Sequence, residues 1–509
     1  MSSREVSYKW LVAIAFVAGL FMDLMDATIV NVAIPTLSRD FAASTDTLEW
    51  VVTGYLISLA IWIPASGWIS DRFGSKRTFA FALLLFTAGS ALCGLAWSAH
   101  SLIAFRMLQG VGGGMMTPVG TAMLFRAFPP AERARASAVI TMPTAIAPAL
   151  GPVLGGWLVD NASWRWIFYV NLPVGLVTLV FVLLFIREHR EDEAGRFDFW
   201  GFVCSGAGLA LVLYALSKAP AHGWTSTAVV ASGLAGVVLF SILVVLEFGQ
   251  PDPILHLRLF GNRVFRSANL SMFMIYAVLL GVLFLLPLFL QELRGISALK
   301  SGLTTFPQAL GMLLMVPLSS RLYPRVGPRR MLTLALVGIT VTSALFLLVD
   351  LGTSLWWIRA IMFLRGVSMS LAIVASQAAA FASIPSEETG RASALFNTNR
   401  QVAASIGVAV LGTVLGQHNS VTAFHHAFAA SIVFGLLGIA FALRIHDEDA
   451  AASMRRPLKL SATSIGTKAT PAESSVQISP SGIGWSSPVV KPRSEKITHS
   501  PSVSIDPLS

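Results

Sequence analysis

The sequence predicts an all-α integral membrane protein, with fourteen transmembrane helices arranged as two six-helix halves and two further helices inserted between them. Three observations carry that reading. The 509 residues are 55% hydrophobic and only 12% charged, with mean hydropathy +0.71, whereas a soluble chain carries about 25% charged residues. Apolar runs of roughly 20 residues recur along the chain, each long enough to cross a hydrocarbon core about 30 Å thick. A basic loop, Gly67-Trp68-Ile69-Ser70-Asp71-Arg72-Phe73-Gly74-Ser75-Lys76-Arg77, also returns as Tyr323-Pro324-Arg325-Val326-Gly327-Pro328-Arg329-Arg330. Arg72, Gly74, Lys76 and Arg77 align with Arg325, Gly327, Arg329 and Arg330, the two glycines lying 253 residues apart.

The spans fall at about 11–35, 48–70, 78–97, 101–125, 136–159, 166–186, 199–217, 227–246, 267–290, 301–322, 331–349, 354–383, 392–416 and 424–443. Backbone polar groups find no water in lipid, so such runs must be helices. Barrel strands would alternate polar with apolar residues, and a run such as Ile275 to Leu290 does not. The stretch after Met1–Trp10 is too long for a cleaved signal peptide and reads as an uncleaved first span.

Charge sorts the loops. Those after even-numbered spans hold Arg72, Lys76, Arg77, Arg126, Arg133, Arg135, Arg187, Arg190, Arg196, Arg258, Arg263, Arg266, Arg325, Arg329, Arg330 and Arg391; those after odd-numbered spans hold only Arg39, Arg165, Lys218, Arg294 and Lys300. Cytoplasmic loops keep the positive excess, so a multi-pass protein of the cell membrane with both termini cytoplasmic is expected. Trp10, Trp97, Trp164, Trp166, Trp200, Trp224, Trp356 and Trp357 stand at span ends, where interfacial anchors belong.

A second echo supports the duplication. Pro129, Glu132, Arg135, Ala136 and Ser137 match Pro385, Glu388, Arg391, Ala392 and Ser393, at an offset of 256 residues. The expected organisation is an N-terminal half over 1–190, two inserted helices over 191–262 and a C-terminal half over 263–445. A disordered cytoplasmic tail over 446–509 completes it, because the composition there turns to Ser, Pro, Thr and mixed charge. Parallel halves of this kind are a transporter plan with substrate bound near the midplane.

The net charge of +10 reflects topology, since the basic residues are scattered over short loops; no nucleic-acid partner is expected. Two cysteines, Cys93 and Cys204, both in apolar runs, exclude a disulfide scaffold and a Cys-based metal site, and no metal or cofactor is expected. No Ser/His/Asp set and no Gly-Lys-Ser/Thr phosphate loop occurs, which argues against an enzyme and against ATP as the energy source.

Asp26 lies deep in the first span, with Asp23 one turn earlier on the same face. A carboxylate at the middle of a span costs about 2.5–3.5 kcal/mol on insertion scales, so it marks a functional position. Asp26 is expected to carry a proton, with Asp23 in the cavity beside it; a static cap or bond to a neighbouring helix is the plain alternative. Arg106 in the fourth span wants an anion, as an ion pair or by snorkelling to the interface. Arg365 and Arg400 are further intramembrane cations. Cavity lining, pairing with Asp23 or Asp26, and simple packing are all open to them.

Gly151, Gly155 and Gly156 let helices approach closely, and Pro148 and Pro152 remove backbone donors and bend a helix. Together they would make a bent, tight seam between the halves; plain close packing is the alternative, as for Gly112-Gly113-Gly114. In the first basic loop Asp71 can meet a helix N-terminus or an arginine across the halves, and Gly74 permits the turn. Gly67, Asp71, Arg72, Gly74, Lys76 and Arg77 thus form a candidate conformational lock.

These segments resemble the major facilitator superfamily, and within it the fourteen-span drug:proton antiporters of the EmrB/QacA type, over residues 10–445. Leu24-Met25-Asp26-Ala27-Thr28-Ile29-Val30-Asn31-Val32-Ala33-Ile34-Pro35 is similar to the first-span signature of that family. The loop from Gly67 to Arg77, the segment Arg106-Met107-Leu108-Gln109-Gly110-Val111-Gly112 and the run Gly151-Pro152-Val153-Leu154-Gly155-Gly156 resemble its loop, fourth-span and fifth-span antiporter motifs. Trp164-Arg165-Trp166-Ile167-Phe168 with Asn171, Pro173 and Gly175 resembles its sixth-span opening. There are departures. Ala147 and Ala138 stand where further glycines are usual, Pro324 stands opposite Asp71, and Met362 opposite Arg106.

The resemblance implies a major-facilitator fold, proton transfer through Arg106 together with Asp26, and a proton gradient as the energy source. Asn31 and Gln109, polar positions within the signatures, join Arg365 and Arg400 as candidates to line the cavity. The expected function is proton-coupled export of amphipathic or hydrophobic small molecules by a monomer in the lipid bilayer. A proton-coupled symporter or exporter of one metabolite, and a non-transporting receptor or scaffold, are the alternatives.

Overall fold

The protein, examined as a computed structural model, is described over residues 3–191, 195–250, 252–416 and 420–454. Among these residues there are fourteen helices of fifteen or more residues. We number them α1 (Ser3–Ile29), α2 (Thr45–Phe73), α3 (Ser75–Gly94), α4 (Ala99–Ala127), α5 (Arg133–Asn161), α6 (Asn171–Phe185), α7 (Phe199–His222) and α8 (Thr227–Gly249). The others are α9 (Arg263–Leu288), α10 (Pro307–Val326), α11 (Pro328–Leu345), α12 (Leu355–Ala380), α13 (Thr389–Leu415) and α14 (Val421–Leu443).

Local sequence sets the helix ends. The side chains of Ser44, Ser98, Asp198, Asn262, Ser354 and Ser420 accept backbone N–H bonds at helix N-termini. The α2–α3 and α10–α11 corners are single glycines, Gly74 at φ 98° and Gly327 at φ 84°, a region closed to most L-residues. The repeated basic loop is therefore one turn geometry made twice.

The same helix pairs touch in both halves. Contacts of α2 with α4, α3 with α4, α1 with α5, α3 with α6 and α1 with α6 recur as α10 with α12, α11 with α12, α9 with α13, α11 with α14 and α9 with α14. The halves meet along two equivalent seams, α2 against α13 and α5 against α10. The inserted α7 lies over the first seam, touching both α2 and α13, and α8 packs on α7. The outer surface of α8 is apolar, with Leu234, Val237, Val238, Val245 and Phe248 exposed.

Among the described residues twelve helical segments are long and apolar enough to cross a membrane. The two long helices outside that set are α4 and α13, which correspond to the fourth and thirteenth of the fourteen expected spans. Both carry charged and amide side chains (Arg106 and Gln109; Asn397, Asn399 and Arg400) and bury most of their residues against other helices. A helix wrapped by helices need not be lipid-soluble on every face.

Two further expectations are corrected. Trp164 is not an interfacial anchor: it is 2% exposed, and its indole N–H donates to Asp40 at 2.8 Å. The tail does not begin at 446. His446 is followed by a 3-10 turn, Asp447–Ala450, and a short helix, Ala451–Met454. Asp447 accepts the Arg329 backbone N–H at 2.9 Å, and Ser453 bonds the buried Tyr323 hydroxyl at 2.9 Å. Small residues at Ala450 and Ser453 bury completely there. Residues 455–509 of the expected tail lie outside the described residues.

Candidate functional site

The carboxylate of Asp26 sits at the centre of the N-terminal half with no exposed surface. Arg106 on α4 donates from Nη1 to Asp26 Oδ2. Gln109, one turn on and so on the same face of α4, donates to Asp26 Oδ1 at 3.0 Å and accepts from Arg106 Nη1 at 2.8 Å. Asn171, the first residue of α6, donates to Asp26 Oδ1 at 2.9 Å. Arg106 also donates from Nε to the Val51 carbonyl at 3.1 Å, and its guanidinium carbon lies 4.0 Å from the Tyr55 ring centroid. Charge, hydrogen bonds and ring face together compensate a pair that burial alone would penalise. Two polar atoms in the cluster have no partner among the described residues, Arg106 Nη2 and Asn171 Oδ1.

Asp23 has a separate set of donors. The Tyr55 hydroxyl donates to its Oδ1 at 2.5 Å and the Thr117 hydroxyl to its Oδ2 at 2.9 Å. Gly113 makes room, because a Cβ there would lie 2.9 Å from Asp23 Oδ1 and 3.0 Å from the Tyr55 hydroxyl. The two acids therefore occupy different niches of one network, with Tyr55 under Arg106 and bonded to Asp23. Tyr55, Thr117 and Asn171 are site residues that charge-seeking in the sequence misses. Only Asn171 stood in a family signature.

The glycine-rich stretch of α5 does not form the seam between halves. A Cβ on Gly151 would overlap Thr28 Oγ1, and one on Gly155 would lie 2.9 Å from the Ile29 carbonyl oxygen, so both glycines press α5 onto α1 within one half. Gly156 is looser, with Val32 Cγ1 at 3.8 Å from such a Cβ. Pro148 and Pro152 lie within the unbroken helix α5; the Pro152 side chain is outside the described residues. Helix α5 also touches α10 and α12 across the seam.

The first basic loop does reach across the halves. Asp71 is 2% exposed, accepts from Arg126 Nη2 at 3.1 Å and lies 3.9 Å from Arg391 Nε, on the first turn of α13. A Cβ on Gly390 would meet Asp71 Oδ1 at 2.7 Å, and one on Gly67 would meet the Gly390 carbonyl oxygen at 3.1 Å. Arg126 also donates to Glu191 at 3.3 Å and to the Ser386 carbonyl at 3.2 Å, and Arg133 donates to the Ile384 carbonyl at 3.2 Å. Ser393 donates to the Pro118 carbonyl at 2.6 Å, and Phe125 stacks on Phe381 with centroids 4.2 Å apart. In the sequence Arg126 reads only as topological charge, and Arg391 as topological charge and part of the second internal echo.

Around the loop, Glu188 accepts the backbone N–H groups of Lys76 and Arg77 at 3.0 and 3.3 Å, beside Gly74. Lys76 donates to the Leu183 carbonyl at 2.8 Å, Arg77 pairs with Glu188 at 3.6 Å, and Arg72 is exposed. His256, in the loop before α9, faces Arg391 at 2.8 Å; burial and then that guanidinium push its pKa down, which keeps an imidazole nitrogen free to accept.

The remaining candidates separate. Gln109 belongs to the Asp26 cluster. Arg365 is fully buried on α12, donating to Ser343 Oγ and to the Val278 carbonyl at 3.1 Å each, so it pairs with neither Asp23 nor Asp26. Arg400 is half-buried, 5.6 Å from the Tyr276 ring centroid. Asn31 is exposed in a 3-10 turn, Val30–Ala33, that interrupts the first span. Among the described residues no group of three or more His, Cys, Asp or Glu side chains could hold a metal.

Comparison with known proteins bears on the family and the fold. The sequence profile of the Major Facilitator Superfamily matches residues 16–408. The chain is 35% identical over 403 residues to the multidrug resistance protein B homolog of Mycobacterium tuberculosis, covering 77% of this chain and 73% of that one. It is 33% identical over 445 residues to the putative multidrug resistance protein MdtD of Serratia proteamaculans, covering 85% and 92%. Among solved structures, the human organic anion transporter MFSD10 (TETRAN) superposes with a TM-score of 0.62 at 17% identity, over 85% of this chain and 99% of that one. That last likeness concerns the fold alone.

Proposed function

The chain belongs to the Major Facilitator Superfamily and is a multi-pass membrane transporter rather than an enzyme; from that premise we propose that it exports amphipathic or hydrophobic small molecules in exchange for protons. The observation that carries the proposal is the Asp26–Arg106 pair, buried at the centre of the N-terminal half with Gln109 and Asn171 as further donors. Protonation of Asp26 would cancel the one negative charge that Arg106 touches among the described residues and release the guanidinium, so proton binding and rearrangement of α1 against α4 become one event. Asp23, held by two hydroxyls, is the acid next in line for that proton.

On this reading all fourteen long helices span the bilayer of the cell membrane, α4 and α13 among them, and both termini are cytoplasmic. The cytoplasmic end is then the one closed by Asp71, Arg126 and Arg391. Breaking that contact as the opposite end closes gives alternating access by a single chain. One proton crossing about 100 mV gains about 2.3 kcal/mol, enough to hold a substrate gradient of roughly fiftyfold. The multidrug relatives favour a broad range of drugs as substrates.

Drug accumulation in cells lacking other pumps tests the proposal, comparing wild type with Asp26→Asn, with and without an uncoupler. Wild type should lower accumulation, and both the uncoupler and Asp26→Asn should abolish the difference. Efflux that survives the uncoupler would end the proton-coupled reading; undiminished efflux by Asp26→Asn would remove Asp26 from it.

A further inference from the structure

At the basic-loop end the first and last helices of each half meet, and the two halves complete that junction differently. In the N-terminal half it is filled. The Arg187 guanidinium lies 5.0 Å from the Tyr8 ring centroid, the Arg187 backbone N–H donates to the Tyr8 hydroxyl at 3.2 Å, and Lys9 turns inward to Glu132. In the C-terminal half the junction between the start of α9 and the end of α14 is an open pocket of about 220 Å³. Arg263, Arg266, Arg444 and His446 line it, with Leu270 and Phe441 as apolar walls.

Among the described residues no acid lines this pocket. Among the described residues Arg263 and Arg444 form no ion pair, and Arg266 gives one bond, to the Phe260 carbonyl at 3.2 Å. Asp447, three residues beyond Arg444, is committed to the Arg329 backbone N–H. The α9 N-terminus is already capped by Asn262, so its helix dipole adds little. Three guanidinium groups around one small volume repel one another unless an anion sits between them, and their planar forks match the paired oxygens of a phosphate. Just outside, Leu437, one turn before Phe441 on the same face of α14, is 44% exposed and continues the apolar wall along the helix.

We infer that this pocket binds a phosphodiester anion, the headgroup of an acidic phospholipid, whose acyl chains follow the outer face of α14. Basic pockets between spans at an anionic leaflet suit such headgroups. The apolar wall favours a lipid over free phosphate.

The test is a thermal-shift titration of the purified full-length protein in detergent with phosphatidylglycerol, phosphatidylcholine or inorganic phosphate. Phosphatidylglycerol should stabilise wild type saturably and phosphatidylcholine should not. Arg263→Gln with Arg444→Gln should raise the half-maximal phosphatidylglycerol concentration by roughly tenfold or more. Arg321→Gln with Arg330→Gln removes the same charge from exposed positions at the same end of the protein and should leave it unchanged. Equal shifts in both double variants, equal shifts with the two lipids, or a full shift with inorganic phosphate alone would each overturn the inference. Photo-crosslinking of wild type with a photoactivatable phosphatidylglycerol needs no variant: label within 263–270 and 441–446 supports the site, and label confined elsewhere refutes it.

Discussion

A guanidinium shut away from water needs its charge matched, and Asp26 is the carboxylate that Arg106 touches. The two partners are not equivalent when one is removed. With Arg106→Gln, Asp26 can take up a proton and become neutral; with Asp26→Asn, arginine cannot lose its proton. We therefore expect Asp26→Asn to lower stability more than Arg106→Gln, by an amount approaching the roughly 3–5 kcal/mol of a broken buried pair. The double variant should recover most of that loss while remaining inactive in transport. Thermal melting of the purified variants measures this, and a double variant no more stable than Asp26→Asn would remove charge compensation as the explanation. At this scale the sequence is half legible. Asp23, Asp26 and Arg106 stand out because charge is rare in apolar runs, whereas Tyr55 and Thr117 look like ordinary residues of a span. Their roles arise from the α1–α2–α4 contact, which no local pattern encodes.

At the scale of helices, the apolar runs locate the elements well, since a span must satisfy its own backbone. What they leave open is which helix a small residue faces. The fifth-span glycines are expected between the halves, yet Gly151 and Gly155 press on α1, because in a bundle every helix has several neighbours and glycine marks closeness without naming the partner. The structure ranks them. Ala at 155 would bring a Cβ against the Ile29 backbone, which cannot swing aside, and should cost about 1–3 kcal/mol. Ala at 156 meets nothing closer than 3.8 Å and should be neutral or stabilising by up to about 1 kcal/mol through helix propensity. Melting of the two single variants decides it; equal losses would place the tight contact elsewhere. The docked segment 446–454 escapes composition for a related reason. Its small residues Ala450 and Ser453 carry little apolar signal; Ser453 is held by the Tyr323 hydroxyl, and Gly327 leaves room for Asp447, whose Oδ2 would lie 2.7 Å from a Cβ there.

For the molecule as a whole, the two seams are equivalent in layout but unequal in chemistry. Pro324 replaces Asp71 in the second basic loop, so only the first loop can grip the opposite half through an acid. Asp71 holds Arg126 of its own half and approaches Arg391 and Gly390 of the other, and Gly67 allows the backbones to meet. Around it the contacts Ser393 to Pro118, Arg133 to Ile384 and Phe125 to Phe381 all cross between halves at the basic-loop end. A closure built this way has one charged centre with packing around it, so weakening the centre should shift a two-state equilibrium rather than unfold the protein. Asp71→Asn keeps the side-chain volume and removes the charge. If the ion pairs contribute about 1.4 kcal/mol to the closed state, the open population rises about tenfold. Spin labels at Phe73→Cys and Glu387→Cys, both exposed and on opposite halves of that end, would report the change by pulsed electron–electron resonance. The longer-distance population should grow in Asp71→Asn, and an unchanged distance distribution would return Asp71 and the loop around it to a purely topological role.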